Sequence, residues 1–286
     1  MRAVVKNAAE RGVTYITDAG DPKATEGTVV IEVGAASLCG TDRELYEWTP
    51  SAQAFNLNLP VTLGHEGAGT IVEVGPGVTG LQVGDQVALE SHLTCGQCFP
   101  CRTGDAHTCE RTGILGMHID GVFAQYAAIP QDICVKLPTG LSLESGALLE
   151  AAGVAVHAIQ RANYSVAGRA VLVSGAGPVG LVVVNLALLM GASHVIAVDP
   201  NPYRRAQAEK LGATALHPND RIVERCRELT GRRLWETWEQ SLLLLDSGKL
   251  ELDWLITHRK KLSDIDEAVE LLTGDACRVL LIPGLG

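Results

Sequence analysis

Short runs that alternate β-branched and polar residues, separated by glycine turns, dominate the first 130 residues: TVVIEVGA at 28–35, GTIVEVGPG at 69–77 and DQVALE at 85–90. A period of two turns one face of each run inward and the other outward, which predicts an antiparallel, barrel-like β domain. From about Glu144 the pattern changes to alanine-rich helix and then to apolar strands separated by helices, the texture of an α/β domain. VLVS at 171–174 predicts a strand, 178–190 a helix and HVIAVD at 194–199 a second strand, with the domain boundary between Glu150 and Val171. Farther on, Trp235 and Trp238 join Leu234, Leu242 and Leu245 on one face of a predicted helix 235–246, which suits packing better than substrate binding.

Composition narrows the class. At 286 residues the chain exceeds one comfortable core, in keeping with two domains. A formal charge of -10 with no basic cluster argues against a nucleic-acid partner. The N-terminal MRAVVKNAAERGVTY lacks the apolar stretch of a signal peptide, so a cytoplasmic chain with reduced thiols is expected. The longest apolar run, Val179 to Met190, is interrupted by Gly180 and Asn185 and is too short to span a bilayer, so no membrane association is expected.

Three constellations carry candidate chemistry. Cys95, Cys98, Cys101 and Cys109 form a CxxCxxCx7C cluster whose short gaps let four thiolates close a tetrahedron around one structural zinc ion; paired disulfides are the competing arrangement. Cys39 in SLCGTD, His65 and Glu66 in LGHEGAG, and Glu150 at the start of the helical region offer a thiolate, an imidazole and carboxylates. Such a set leaves an open coordination position, the pattern of a catalytic zinc, with Glu66 either an alternating ligand or a group that steadies the histidine. Taken singly, each of these residues has an ordinary structural explanation.

The third constellation is the GxGxxG turn Gly175, Gly177 and Gly180. It opens a helix at Pro178 and Val179, and Asp199 stands nineteen residues beyond Gly180 at the end of the next strand. The helix N-terminus faces phosphates and the acid takes ribose hydroxyls, which favours NAD over NADP. Arg204 and Arg205 leave a 2′-phosphate open, and a tight βα turn with an incidental acid is the structural alternative.

Together, CGTD at 39–42, GHEGAG at 64–69, the four-cysteine cluster and GAGPVG at 175–180 resemble the zinc-dependent medium-chain alcohol dehydrogenase family. LYEW at 45–48, ESHLTCGQC at 90–98, DGVFAQYAAIP at 120–130, GRRLWETWEQ at 231–240 and SGKLELDWLITHR at 247–259 resemble the branch of that family whose substrate is L-threonine. The resemblance implies α/β plus β architecture. A GroES-like catalytic domain would span 1–152, a shortened Rossmann (doubly wound) domain 153–246, and the segment 247–286 would return to the first domain.

It further implies Cys39, His65 and Glu150 as catalytic zinc ligands with Glu66 close by, Thr41 passing the substrate's proton, and His92 at the substrate. Gly175, Gly177, Pro178, Val179, Gly180, Asp199 and Arg204 would hold NAD, and each chain would carry two zinc ions. The substrate is then a small alcohol and the product a 2-amino-3-oxo acid. Another secondary-alcohol or polyol dehydrogenase, and an inactive zinc-binding relative, are the alternative readings.

The chain departs from the family in two places. Glu44 stands where the family often has a histidine, three residues after Thr41. After RELTG at 227–231 the chain passes directly into RRLWETWEQ with no further strand. A complete doubly wound sheet needs three more strands, on the order of 50 to 60 residues. Only the strand order 3-2-1 is expected, with weak NAD binding, and the family's homo-oligomer, which pairs through the missing strands, is put in doubt.

Overall fold

The protein's structure, a computed structural model, describes residues 1–231, 244–271 and 278–282. The tryptophan pair with Leu234 and Leu242, and also Cys277, lie outside the described residues. The chain divides into two compact units, Met1–Val154 and Ala155–Gly286, a boundary inside the interval read from the sequence. Residues 247–286, expected to return to the first domain, fall in the second unit in this division.

The first unit carries strands β1 (Ala3–Lys6), β2 (Thr14–Ile16), β3 (Thr28–Ser37), β4 (Val61–Thr62), β5 (Glu66–Val74), β6 (Gln86–Leu89), β7 (His92–Leu93), β8 (Gly113–Ile114), β9 (Tyr126–Pro130) and β10 (Cys134–Lys136). Its helices are α1 (Gly40–Glu47), α2 (Pro50–Gln53), α3 (Phe99–Thr103), α4 (Leu143–Ala147) and α5 (Leu149–Arg161), the last running across the boundary. The main sheet has the order β10-β6-β5-β3-β9 with antiparallel neighbours, and a three-stranded sheet runs β2-β1-β4. β-Branched residues line the interior: Val29, Ile31, Ile71, Val87 and Ile129 have no exposed surface.

β3 pairs with β5 from Val29↔Val74 to Ser37↔Glu66, with irregularities at Val30/Ile31 and Val33/Ala35. Such register shifts bend a strand and raise its twist. The last pair stands two residues before Cys39 in one strand and one residue after His65 in the other. β3 therefore delivers Cys39 to the N-terminus of α1 beside the entry of β5.

The second unit opens with β11 (Ala170–Ser174), α6 (Pro178–Leu189), β12 (His194–Val198), α7 (Pro202–Leu211), β13 (Thr214–Leu216) and α8 (Ile222–Thr230). β11, β12 and β13 form a parallel sheet in that order, so β11 is its edge among the described residues. This is the 3-2-1 half expected from the sequence. Leu172 on β11 is 52% exposed and Leu189 on α6 is 75% exposed, although both elements are nearly all apolar. Such composition suits elements covered on several sides. β14 (Ile256–Lys260) and β15 (Arg278–Leu281) pair in parallel around α9 (Ile265–Leu271). No helix among the described residues is long and apolar enough to cross a membrane.

Ile31→Ala is expected to lower the unfolding free energy of the first unit by about 2–5 kcal/mol, the cost of emptying a packed β-sheet core position. Urea unfolding followed by circular dichroism measures it; a loss below about 1 kcal/mol contradicts the assignment of Ile31 to the core.

Candidate metal centre and cofactor turn

Cys39, His65 and Glu66 bring one ligand atom each within 4.8 Å of one another. His65 and Glu66 are buried and Cys39 half-buried. Cys39 is the N-cap of α1, and its backbone N–H donates to Asp42 Oδ2 at 2.8 Å, an arrangement that fixes the first turn. The other oxygen, Asp42 Oδ1, lies 3.4 Å from His65 Nδ1 and has no hydrogen-bond partner of good geometry among the described residues. His65 Nε2 faces the other way, 3.9 Å from Glu66 Oε1. Asp42 thus selects the ring edge that points at the cluster.

Glu150, read from the sequence as a ligand, lies outside this close group. It sits in the first turn of α5, where Ser91 Oγ donates to its Oε1 at 3.4 Å and its charge meets that of Glu66. Glu66 is held by its pairing with Ser37, two residues before Cys39, whereas Glu150 approaches from a separate helix.

The electrostatics fit a cation. Burial, and then the charge of Glu66, push the Glu150 carboxyl above its ordinary pKa. Burial also raises the Cys39 thiol. Burial works against a protonated His65, but contact with Asp42 and the charges of Glu66 and Glu150 outweigh it, so its pKa rises. The carboxylates and the thiolate crowded at low dielectric repel one another when ionised, and a divalent ion relieves that repulsion while a neutral imidazole can ligate it. The donor set of sulfur, nitrogen and oxygen is one zinc accepts. Thr41 Oγ1 lies 3.8 Å from Cys39 Sγ, within the same turn.

The four-cysteine cluster also converges, with its sulfurs within 4.8 Å of one another. Cys98 Sγ lies 3.4 Å from Cys101 Sγ and 3.8 Å from Cys109 Sγ, and Cys95 Sγ is 4.0 Å from Cys101 Sγ. A zinc–sulfur bond of about 2.3 Å sets tetrahedral sulfurs about 3.8 Å apart, so the spacing fits zinc. Every described cysteine is a free thiol, contrary to the disulfide alternative. Backbone N–H groups of Cys98 and Arg111 donate to Cys95 Sγ and Cys109 Sγ at 3.4 and 3.3 Å. Such donors, led by the Gln97 amide, bring the Cys95 thiol down to about 5.

His92 is elsewhere. Its Nδ1 lies 2.6 Å from Glu90 Oε1, a contact that raises its pKa, and it lines a cavity of about 590 Å³ with Glu90, His107 and Asp132. The charge of Glu150 reaches it, but Cys39, His65 and Glu66 are not among the lining residues. Sequence reasoning missed Asp42 and Ser91. Asp42 carried a signal, an acid at the third position of a helix whose cap is a ligand.

In the second unit Gly175 adopts φ +95°, and a Cβ on Gly180 would stand 1.8 Å from Gly175 O, so both positions require glycine. The space over Gly177 is open except for Arg204, whose Nη1 would lie 3.9 Å from an added Cβ. Pro178 and Val179 form the first turn of α6. Asp199 is buried at the end of β12: Ala176 N–H donates to its Oδ2 at 2.9 Å and Asn201 N–H to its Oδ1 at 2.7 Å. Burial opposes its charge, but these amides with Arg204 and Arg205 hold its pKa below the usual carboxylate range. Arg205 Nη1 is committed to Asp199 O and Pro200 O at 2.7 and 3.0 Å. The turn and its acid fit the adenosine end of a dinucleotide, whereas the half-sheet that accompanies the nicotinamide end has no strand among the described residues.

Comparison with known proteins agrees with this geometry. Residues 25–139 match the alcohol dehydrogenase GroES-like domain and residues 178–237 the zinc-binding dehydrogenase domain. The L-threonine 3-dehydrogenase of Pyrococcus abyssi is 36% identical, over 95% of each chain, and that of Thermococcus kodakarensis is 35% identical, over 100% of this chain and 99% of the relative. The crystal structure of galactitol-1-phosphate dehydrogenase from Escherichia coli superposes with a TM-score of 0.72 at 25% identity, covering 99% of this chain and 100% of that one. The chain belongs to the zinc-dependent medium-chain alcohol dehydrogenase family. The Thermococcus alignment runs to 350 positions, so at least 64 of them have no counterpart among the 286 residues here.

Asp42→Asn is expected to lower the His65 pKa, because a raising charge is removed, and to weaken metal affinity at Cys39, His65 and Glu66 by about 10–100-fold. Chelator competition on the purified chain measures the second effect; unchanged affinity assigns Asp42 to helix capping alone.

Proposed function

We propose that this chain oxidises the secondary alcohol of L-threonine, with zinc at Cys39, His65 and Glu66 and NAD as the hydride acceptor. The observation that carries the reading is the convergence of those three ligand atoms in a chain 35–36% identical to two L-threonine 3-dehydrogenases. Bound zinc supplies Lewis acidity to the substrate hydroxyl. The chain's own residues supply the rest. Glu150 stands beside Glu66 and adds a carboxylate whose charge a bound zinc would offset, and Asp42 orients His65. Thr41, next to Cys39, is placed to take the hydroxyl proton outward, and Glu44 follows in the same helix where a histidine is usual. The carbon-bound hydrogen leaves as hydride to the acceptor and the product is a 2-amino-3-oxo acid.

NAD is favoured over NADP because the buried Asp199 carboxylate repels a 2′-phosphate and Arg205 is already engaged by backbone carbonyls. The four-cysteine lobe holds a second zinc with a structural role, giving two per chain, and the free thiols of the described cysteines suit the cytoplasm. A polyol-type substrate is the second reading, favoured by the structural likeness to galactitol-1-phosphate dehydrogenase.

Purified, zinc-loaded chain is expected to reduce NAD with L-threonine faster than with sorbitol, butanediol or galactitol 1-phosphate, followed by nicotinamide absorbance. A preference for a polyol selects the second reading, and no turnover with any of them leaves a zinc-binding relative without this activity. Elemental analysis is expected to return two zinc per chain, falling to one in Cys98→Ser. Cys39→Ser is expected to cut turnover by more than about 100-fold, beyond the loss of an outer-shell partner. Thr41→Ala should lower kcat by about 10²–10⁴-fold while Thr41→Ser retains it, and equal loss in both sets the hydroxyl relay aside.

A further inference from the structure

We infer that this chain recognises a dinucleotide by its adenosine diphosphate end alone, so that the nicotinamide half adds nothing to affinity. The inference rests on the proposal above that the Gly175–Gly180 turn takes a dinucleotide. A dinucleotide-binding sheet consists of two βαβαβ halves, and the ligand lies across the crevice where they meet. β11, α6, β12, α7 and β13 are one entire half, in register and with the parallel order that such a half requires. Everything that half contributes is in place: the positive φ of Gly175, the open face of Gly177 under Arg204, the close approach at Gly180, and Asp199 at the end of β12.

The other half is a different matter. It begins beyond the far edge of β11, where no strand is present among the described residues. α8 ends at Thr230 and β14 starts at Ile256. Three strands with their helices and connections need on the order of 50 to 60 residues, at least twice the length of that interval. The shortfall of at least 64 positions against the Thermococcus relative is of the size of that missing half. The exposed Leu172 and Leu189 lie on the strand and helix that the second half otherwise covers.

Affinity therefore comes from the pyrophosphate at the N-terminus of α6 and the ribose at Asp199. ADP-ribose carries both features and lacks only the nicotinamide, which makes it the discriminating probe. Titration calorimetry of the full, zinc-loaded chain with ADP-ribose, ADP, NAD and nicotinamide mononucleotide tests the inference. ADP-ribose and NAD are expected to bind within about threefold of each other, and nicotinamide mononucleotide to give no heat. Exposed Arg204, changed by Arg204→Gln, should weaken ADP-ribose and NAD by the same factor, about tenfold.

NAD binding about tenfold or more tighter than ADP-ribose, or saturable binding of nicotinamide mononucleotide, overturns the inference. No heat with ADP-ribose overturns it as well, together with the assignment of the turn. A chain that binds ADP-ribose and NAD equally but oxidises no alcohol sinks only the proposed activity. One that turns over L-threonine yet strongly prefers NAD to ADP-ribose sinks only the inference.

Discussion

The antiparallel pairing of β3 with β5 is the constraint on which the metal centre depends. Cys39 and His65 are separated by twenty-five residues, and nothing local to either brings them together. Their meeting follows from a ladder that ends at Ser37↔Glu66 and so places the exit of one strand beside the entry of the other. A one-residue slip in that ladder would turn every buried side chain of β3 to the opposite face, so the core of Val29, Ile31 and Ile71 holds the register and with it the ligands. The energy that positions the donors is thus hydrophobic and remote from the site.

The two clusters of metal donors are built on different principles. In the four-cysteine lobe the ligands lie within fifteen residues, and local turns with backbone N–H groups aimed at sulfur do the positioning. At Cys39 the donors come from a helix cap and a strand start, with Glu150 approaching on α5; Asp42 supports His65, while the like charges of Glu66 and Glu150 add to the cost of burial that a bound cation would relieve. A closed four-sulfur set leaves no position for substrate, whereas three mixed donors do. The contrast separates a site suited to structure from one suited to chemistry.

The second unit shows what a domain retains when, among the described residues, only one half of its sheet is present. Its remaining sheet keeps the internal register of a dinucleotide-binding half, because each βαβ unit packs chiefly on its immediate neighbours. What it loses is cover: among the described residues β11 is an edge, and Leu172 of β11 and Leu189 of α6 are exposed. An apolar strand with one unpaired edge is a liability that natural sheets usually blunt with charge or proline, and neither occurs within Ala170–Ser174.

Much of this was legible in the sequence, because the signals were local or periodic. The alternation in TVVIEVGA and GTIVEVGPG marked β3 and β5, the CxxCxxC spacing marked the lobe, and GAGPVG followed by an acid marked the turn and the end of β12. Even the missing strands could be counted, since each element has a typical length. The order in which Glu66 and Glu150 stand around the cluster, the use of Asp42 to aim His65, and the placement of His92 in a cavity with Glu90 were not legible. Those depend on which strand pairs with which and on how burial and like charges are balanced across elements far apart in the chain, and only the folded arrangement settles such distances.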